Sequence, residues 1–205
     1  MALVKHNNNS ISDITSAGQL AQGKMTLISS QTASGSASIE FTSGIDSTYP
    51  IYRFEFINIH PQTDIKFLGF QGSTDGGSNY ATTITSTFFY AIHGESDSTY
   101  FAYESGYDLA QGTSLYNGGQ PLSDNIGSDS DQSLCGNLTL YNPSSTTFVK
   151  HFMANTSAYT HDNTETNSYI AGYFNTTSAI NGIKFYLRDS ANFDGTIKLY
   201  GIKGD

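Results

Sequence analysis

The sequence of 205 residues has one cysteine, no tryptophan and four prolines, and only 13% of its residues are charged. The single Cys135 excludes an intrachain disulfide and a thiolate cluster for zinc or iron–sulfur chemistry. We expect it to be a small buried residue in a strand. No window approaches the roughly 18 apolar residues of a membrane span, and the first residues do not contain the apolar core of a signal peptide. The sequence therefore predicts a chain that is made in a cytoplasm, stays soluble and has no membrane partner.

Positive charge is also scarce. Nine Lys and Arg residues against eighteen Asp and Glu residues give a formal net charge of −9, which disfavours a non-specific electrostatic grip on nucleic acid phosphates. Apolar side chains are plentiful in comparison, with 14 Tyr and 13 Phe among the 37% of hydrophobic residues. That is too much buryable surface for a disordered chain, so we expect a folded protein without a nucleic acid partner.

From Met25 onward the hydrophobic pattern has a period of two. The segment 50–60 puts Tyr52, Phe54 and Phe56 on one face and Arg53 and Glu55 on the other, as a half-buried strand requires. The same pattern predicts further strands near 25–30, 37–42, 65–71, 84–93, 99–104, 134–141, 146–153, 168–175, 180–188 and 195–202. Helix is nearly absent, and one turn near Tyr107 is the most that the glycine spacing allows. The fold class predicted is all-β with ten or eleven strands.

The strands indicate one domain preceded by an extension. Residues 1–24 are rich in Asn, Ser, Gly and Gln with sparse apolar residues, which predicts an extended N-terminal arm. Residues 25–205 are expected to form an antiparallel two-sheet β-sandwich of jelly-roll type, because hairpins without crossover helices fit that architecture best. Within it, the glycine-rich stretch 105–133 is predicted to be a long surface loop or a pair of loops.

Several segments occur in an order that resembles a known family. They are Phe41–Tyr49, Tyr52–Pro61, Thr63–Asp64, Ser73–Tyr80 and Gly195–Ile202. This order is similar to that of uncharacterised virion-associated jelly-roll proteins of tailed bacteriophages, including phages of marine bacteria and cyanobacteria. The resemblance spans most of residues 25–203. It implies a non-enzymatic virion structural protein, either a capsid decoration or a tail-associated subunit, whose partners are other virion proteins such as the major capsid or tail proteins.

The alternative from another class is a receptor- or carbohydrate-binding module of a tail fibre, with a host surface glycan as partner. Such a site would use exposed aromatic side chains beside Asn and Asp, and the loop tyrosines fit by composition. The ligand-binding candidates are Tyr100, Tyr103, Tyr107 and Tyr116. An enzyme is a third reading with less support, because the chain has no Gly-x-Ser-x-Gly elbow and its five histidines are scattered.

A cofactor is not expected, with calcium as the one candidate. Calcium takes six to eight oxygen ligands from carboxylates and loop carbonyls, and an acidic run occurs between 124 and 131. The candidate ligands are Asp124, Asp129 and Asp131, although their spacing is not that of an EF-hand. The alternative for these residues is a solvated loop.

Self-association is the last expectation. A sandwich has edge strands that need charges, prolines, coverage or partners, and charges are scarce here. We therefore expect a homo-oligomer. The resemblance implies a trimer, with residues 1–24 reaching to a neighbour or to the particle.

Overall fold

The computed structural model describes residues 25–203, so the arm predicted over 1–24 lies outside the described residues. These residues form thirteen strands and one short 3₁₀ turn at Arg188–Ser190, with no α-helix in the described range. No helix within residues 25–203 has the length and apolar character to cross a membrane. The strands are β1 Met25–Ser36, β2 Ser38–Phe41, β3 Ile51–Pro61, β4 Leu68–Ser73, β5 Ile84–Gly94, β6 Thr99–Tyr103, β7 Ala110–Gly112, β8 Gln120–Pro121, β9 Leu134–Tyr141, β10 Lys150–Tyr159, β11 Thr164–Phe174, β12 Gly182–Leu187 and β13 Phe193–Ile202. The all-β prediction is confirmed.

The strands form two antiparallel sheets. The large, nine-stranded sheet has the order β1-β13-β3-β9-β10-β11-β5-β6, with β7 also paired to β5, and the small sheet has the order β2-β12-β4-β8. Consecutive strands at both ends of the chain go to different sheets: β1 pairs with β13 in one and β2 with β12 in the other. This connectivity ties the first and last strands together in each sheet.

The sheets pack face to face through aromatic side chains. In β3, Tyr52, Phe54 and Phe56 are buried, as the alternation predicts. Their counterpart in the small sheet is Phe185 of β12, whose ring lies 5.0 Å from Phe54 and 5.2 Å from Phe56. Because consecutive side chains in β12 point to opposite faces, Lys184 and Tyr186 lie on its outer face. One aromatic cluster therefore joins the two sheets.

A second aromatic cluster fills the other half of the interface. Phe70 of β4 contacts Phe152 of β10 at 5.0 Å and Phe174 of β11 at 5.8 Å between ring centroids, all three rings being fully buried. The near-perpendicular ring planes are a favourable aromatic arrangement. The core thus runs beneath the middle strands of both sheets and leaves the β5–β6 end of the large sheet less covered.

The stretch 105–133 differs from the predicted surface loop. Residues 118–123 are all buried, and Leu109, Leu122 and Ile126 belong to the core. The buried side chain of Gln120 forms hydrogen bonds within the protein. The Ser86 hydroxyl donates to its Oε1 at 2.6 Å, and its Nε2 donates to the Tyr107 carbonyl at 3.0 Å. Satisfied polar groups allow a segment without hydrophobic periodicity to be buried. The surface-loop prediction is therefore wrong for this part.

Two smaller expectations also change. The predicted strand 146–153 begins later, at Lys150. Ser145 Oγ accepts hydrogen bonds from the backbone N–H groups of Thr147 and Phe148, which stabilise a turn before the strand. Cys135 is exposed instead of buried. Its neighbours Leu134 and Leu138 face the core, so the alternation of β9 directs the cysteine outward.

Candidate ligand-binding face

The outer surface of the large sheet carries an ordered row of side chains across five strands. Pairing registers align Asn137 with Asn155, Asn155 with Tyr169, Tyr169 with Phe89, and Phe89 with Tyr103. Directly paired residues point to the same face of an antiparallel sheet. The row therefore changes from amides in the middle of the sheet to aromatic rings toward the β6 edge.

The aromatic end of this row is exposed to solvent. Phe89 is 36% exposed, Tyr169 43%, Tyr103 54% and Phe101 69%. The rings of Phe89 and Tyr169 stack at 5.3 Å with an interplanar angle of 14°, and Phe101 meets Phe89 edge-on at 6.0 Å. We call these four residues the aromatic face. Large contiguous apolar patches are uncommon on the surface of a monomeric domain, so this surface is a candidate for an interaction site.

A groove of about 460 Å³ runs beside the aromatic face. Its lining includes the small residues Ala171 and Thr87, which lie next to the Tyr169–Phe89 row, and the larger residues Tyr141, Met153 and Tyr173. Small side chains between rows of large ones leave this depression in the sheet surface. Its volume lies in the range of small-molecule sites. The aromatic face and the groove together form the best candidate site on the described chain.

The tyrosines proposed from the sequence do not share one surface. Tyr103 belongs to the aromatic face, and its hydroxyl donates to Asp108. Tyr100 is exposed on the opposite side of β6, next to Tyr90. Tyr107 and Tyr116 instead pack against Phe67, and the Arg188 guanidinium lies 4.5 Å from the Tyr116 ring.

The acidic candidates likewise do not converge. Asp124 Oδ1 accepts hydrogen bonds from the Tyr107 hydroxyl at 3.0 Å and from the Asn125 backbone at 2.7 Å. Asp129 and Asp131 are exposed further along the loop. Among residues 25–203 there is no group of three or more His, Cys, Asp or Glu side chains placed to hold a metal ion. Calcium at these residues stays a prediction without a convergent ligand set.

A polar depression of about 560 Å³ lies at the end of β5 and the beginning of β11. Tyr159 donates to Glu95 Oε1 at 3.1 Å, and His93 Nε2 lies 3.2 Å from Asp97 Oδ1. The hydrogen bond to Glu95 raises the pKa of Tyr159 because ionisation would place two negative charges together. These carboxylates are satisfied by neighbouring side chains and make this end of the face acidic.

The described histidines contact backbone, aromatic and acidic groups. His60 Nδ1 bonds the Gln132 carbonyl, His151 packs against the Tyr173 ring, and His161 lies beside Asp162. In the described part of the chain, no hydrogen bond joins a histidine to a serine hydroxyl. A serine–histidine nucleophile–base pair is therefore not found among these residues.

Two inward-facing tyrosines line the less covered end of the core. Burial raises the pKa of Tyr90 to about 12, and the nearby Asp124 and Glu104 charges add to the shift. Burial likewise raises the pKa of Tyr107, whose hydroxyl donates to Asp124. Both side chains keep their protons at a pH where an exposed tyrosine of the unfolded chain has lost its own.

This difference predicts a loss of stability in alkali. The contribution of Tyr90 is fully present below pH 10 and is lost as pH rises from 10 to about 12, because the unfolded chain releases the proton first. Tyr90→Phe should therefore show a shallower decline of unfolding free energy above pH 10 than the natural chain. Urea unfolding between pH 7 and 11.5 measures both slopes. The data at pH 7–8 control for the lost hydrogen bond to Glu104, and parallel curves above pH 10 would contradict the prediction.

Sequence reasoning missed most of the aromatic face. A usable signal exists in Phe88-Phe89-Tyr90, because three consecutive aromatic residues in one strand cannot all point to the same side. Phe88 is fully buried, which leaves Phe89 on the outer surface. The contributions of Phe101 and Tyr169 depend on which strands are neighbours, and spacing in the sequence does not contain that information.

Comparison with protein-family models, with curated proteins and with solved structures finds no significant match to this chain. The resemblance to virion-associated proteins therefore stays a prediction.

Proposed function

We propose that the chain is a non-enzymatic structural subunit on the surface of a bacteriophage particle, where the outer face of its large sheet contacts a partner. The observation that carries this proposal is the aromatic face beside its groove. These rings are exposed to water in the free domain. A partner that buries them would stabilise the complex by roughly 25 cal/mol per Å² of apolar surface removed from water. The motif order described above supplies the phage setting.

A jelly-roll architecture belongs to the same proposal. The order β1-β13-β3-β9 in one sheet faces the order β2-β12-β4-β8 in the other. Two four-stranded sheets in which the first strands pair with the last are the pattern of a jelly roll. On this reading, β5–β7 are an insertion, and β10 and β11 extend the large sheet. Jelly rolls occur in viral capsid proteins, which agrees with a structural role.

Mass spectrometry of purified particles tests the proposal in two parts. The chain should be present as a stoichiometric component, and its absence would overturn the structural role. Hydroxyl-radical footprinting then compares particle-bound with free chain. Met153 and Tyr169 should be protected in the particle, while Tyr116, on another surface, should be modified equally in both. If the chain is present in particles but is modified equally in its bound and free forms, the structural role is retained and the outer face is not the contact surface.

Recognition of a carbohydrate by the groove is a second candidate function. A sugar ring has an apolar face and a rim of hydroxyls, and the groove offers aromatic walls next to the amides of Asn137 and Asn155. Asn155 Nδ2 donates to Asn167 Oδ1 at 2.9 Å and to the Ser168 carbonyl at 3.0 Å, which fixes this amide on the outer face. The ligand expected from this surface is a neutral glycan.

Glycan binding can be separated from the structural role with single substitutions. Tyr169→Ala and Tyr173→Ala should each weaken binding about fivefold, because an aromatic contact contributes on the order of 1 kcal/mol. Tyr116→Ala is the control, since Tyr116 is exposed but lies elsewhere. A glycan array followed by titration calorimetry on any glycan retained provides the measurement. Absence of binding across host envelope glycans would remove this function and leave the structural one.

A further inference from the structure

The β6 edge of the large sheet has free backbone groups. Gly94 N–H donates to the Ser98 carbonyl at 2.8 Å, and Glu104 N–H donates to the Phe88 carbonyl at 2.9 Å, so these two ends of β6 face β5. Backbone groups alternate in direction along a strand. The N–H and C=O groups that point away from β5 are consequently those of Thr99, Phe101 and Tyr103. Within the range 25–203, no other strand pairs with them.

This edge lacks the features that usually prevent pairing with another chain. The strand Thr99–Tyr103 has neither a charged residue nor proline, and its register with β5 has no bulge. Both of its faces are exposed, with Tyr100 on one and Phe101 on the other. The opposite edge differs, because two register shifts interrupt the pairing of β1 with β13. Bulges, charges and proline are the common protections of edge strands.

We propose that β6 pairs with β6 of a second copy in an antiparallel, two-fold symmetric arrangement centred on Phe101. In this register Phe101 lies opposite its symmetry mate, and Thr99 lies opposite Tyr103. These are the residues with outward backbone groups, so each such pair exchanges two N–H···O=C bonds. On the other face, Tyr100 lies opposite the small Ala102. The strand is therefore complementary to itself in backbone direction and in side-chain size.

Charge does not oppose the arrangement. Continuing the register places Glu104 opposite Ser98 and Asp97 opposite Ser105, so no like charges face each other along the strands. Like-charge pairs directly opposite would destabilise a sheet. The scarcity of charge that sets this sequence apart thus has a specific use at this edge.

Pairing would also enlarge the candidate site. A two-fold axis perpendicular to the sheet keeps the outer surfaces of both copies on the same side. The two aromatic faces then adjoin through Phe101, and β11 of one copy lies five strand spacings, or about 24 Å, from β11 of the other. The inference goes beyond the proposed function, since self-association is measured on the isolated chain without particles or glycans.

Charge substitutions at the symmetry centre test the proposal. The natural chain should sediment at twice the monomer mass at micromolar concentration. Phe101→Lys and Phe101→Glu should each dimerise at least about tenfold more weakly, because the substituted charge faces its own copy. An equimolar mixture of the two variants should recover the dimer, because opposite charges then meet.

The matched control is Phe148→Lys, which changes a ring of equal exposure, 68% against 69% for Phe101, in a loop away from β6. This variant should dimerise like the natural chain, and all variants should keep the circular dichroism spectrum of the natural chain. A natural chain that is monomeric or trimeric, or a mixture that fails to recover the dimer, would overturn the two-fold pairing.

Discussion

Replacing Phe185 with alanine should lower the free energy of unfolding by about 3–5 kcal/mol, the range for a large buried aromatic residue. The ring is fully buried and contacts Phe41, Phe54, Phe56 and Phe70, with centroid distances of 5.0–6.3 Å. These partners come from both sheets, so the cavity would open at the interface that holds the sandwich together. A chain of this size with ordinary stability of 5–15 kcal/mol would lose a large share of it.

Urea unfolding followed by tyrosine fluorescence and circular dichroism measures the change. Phe148→Ala serves as the control, because its ring is mostly exposed and should change the unfolding free energy by less than about 0.5 kcal/mol. Similar midpoints for the two variants would show that the Phe185 cluster does not carry the interface.

Gly69→Ala should destabilise the protein by about 1–3 kcal/mol or more, although it adds one methyl group. A Cβ atom at Gly69 would overlap the backbone carbonyl oxygen of Gly118 and approach that of Gln120. Backbone atoms cannot rotate away, so β4 and the buried segment 118–123 would have to separate. Because Gln120 connects this segment to Ser86 of β5, we expect the strain to reach the less covered end of the large sheet.

Gly94→Ala is the matched control for this substitution. It also lies in a strand and has no positive φ, but its Cβ would meet the Ser98 hydroxyl, which can change rotamer. We expect Gly94→Ala to cost less than Gly69→Ala in urea unfolding. Equal costs would mean that the segment 118–123 can shift without loss.

Local patterns account for the parts of the fold that were predicted correctly. In β3, alternation alone identifies Tyr52, Phe54 and Phe56 as buried, because one face of that strand meets the core and the other does not. The prediction that Cys135 is buried was wrong for a related reason. Its residue type favours burial, but its position relative to Leu134 and Leu138 directs its side chain outward. The position of a residue within its strand therefore determines its burial more strongly than its residue type does.

The segment 105–133 could not be predicted in this way. Its short strands β7 and β8 have three and two residues, and neither has a recognisable period. What buries the segment is close backbone approach at Gly118 and Gly119 and the hydrogen bonds of Gln120, which depend on elements distant in the chain. The aromatic face has the same origin, since Phe101 and Tyr169 both reach Phe89 only through the order of strands in the sheet.

The pairing of β1 with β13 also implies a delay during synthesis of the chain. Among the strands of residues 25–203, β1 pairs only with β13, and Phe193, where β13 begins, follows Ser36 by 157 positions. At roughly 5–20 residues per second, a ribosome needs about 8–30 s to synthesise that stretch, and β13 is not yet available to β1 during this time. The twelve residues of β1, MTLISSQTASGS, are mostly small and polar, which suits a strand that is exposed to solvent until β13 has been synthesised. Large apolar residues introduced into β1 should therefore reduce the yield of soluble chain during translation more than they change the stability of the finished protein.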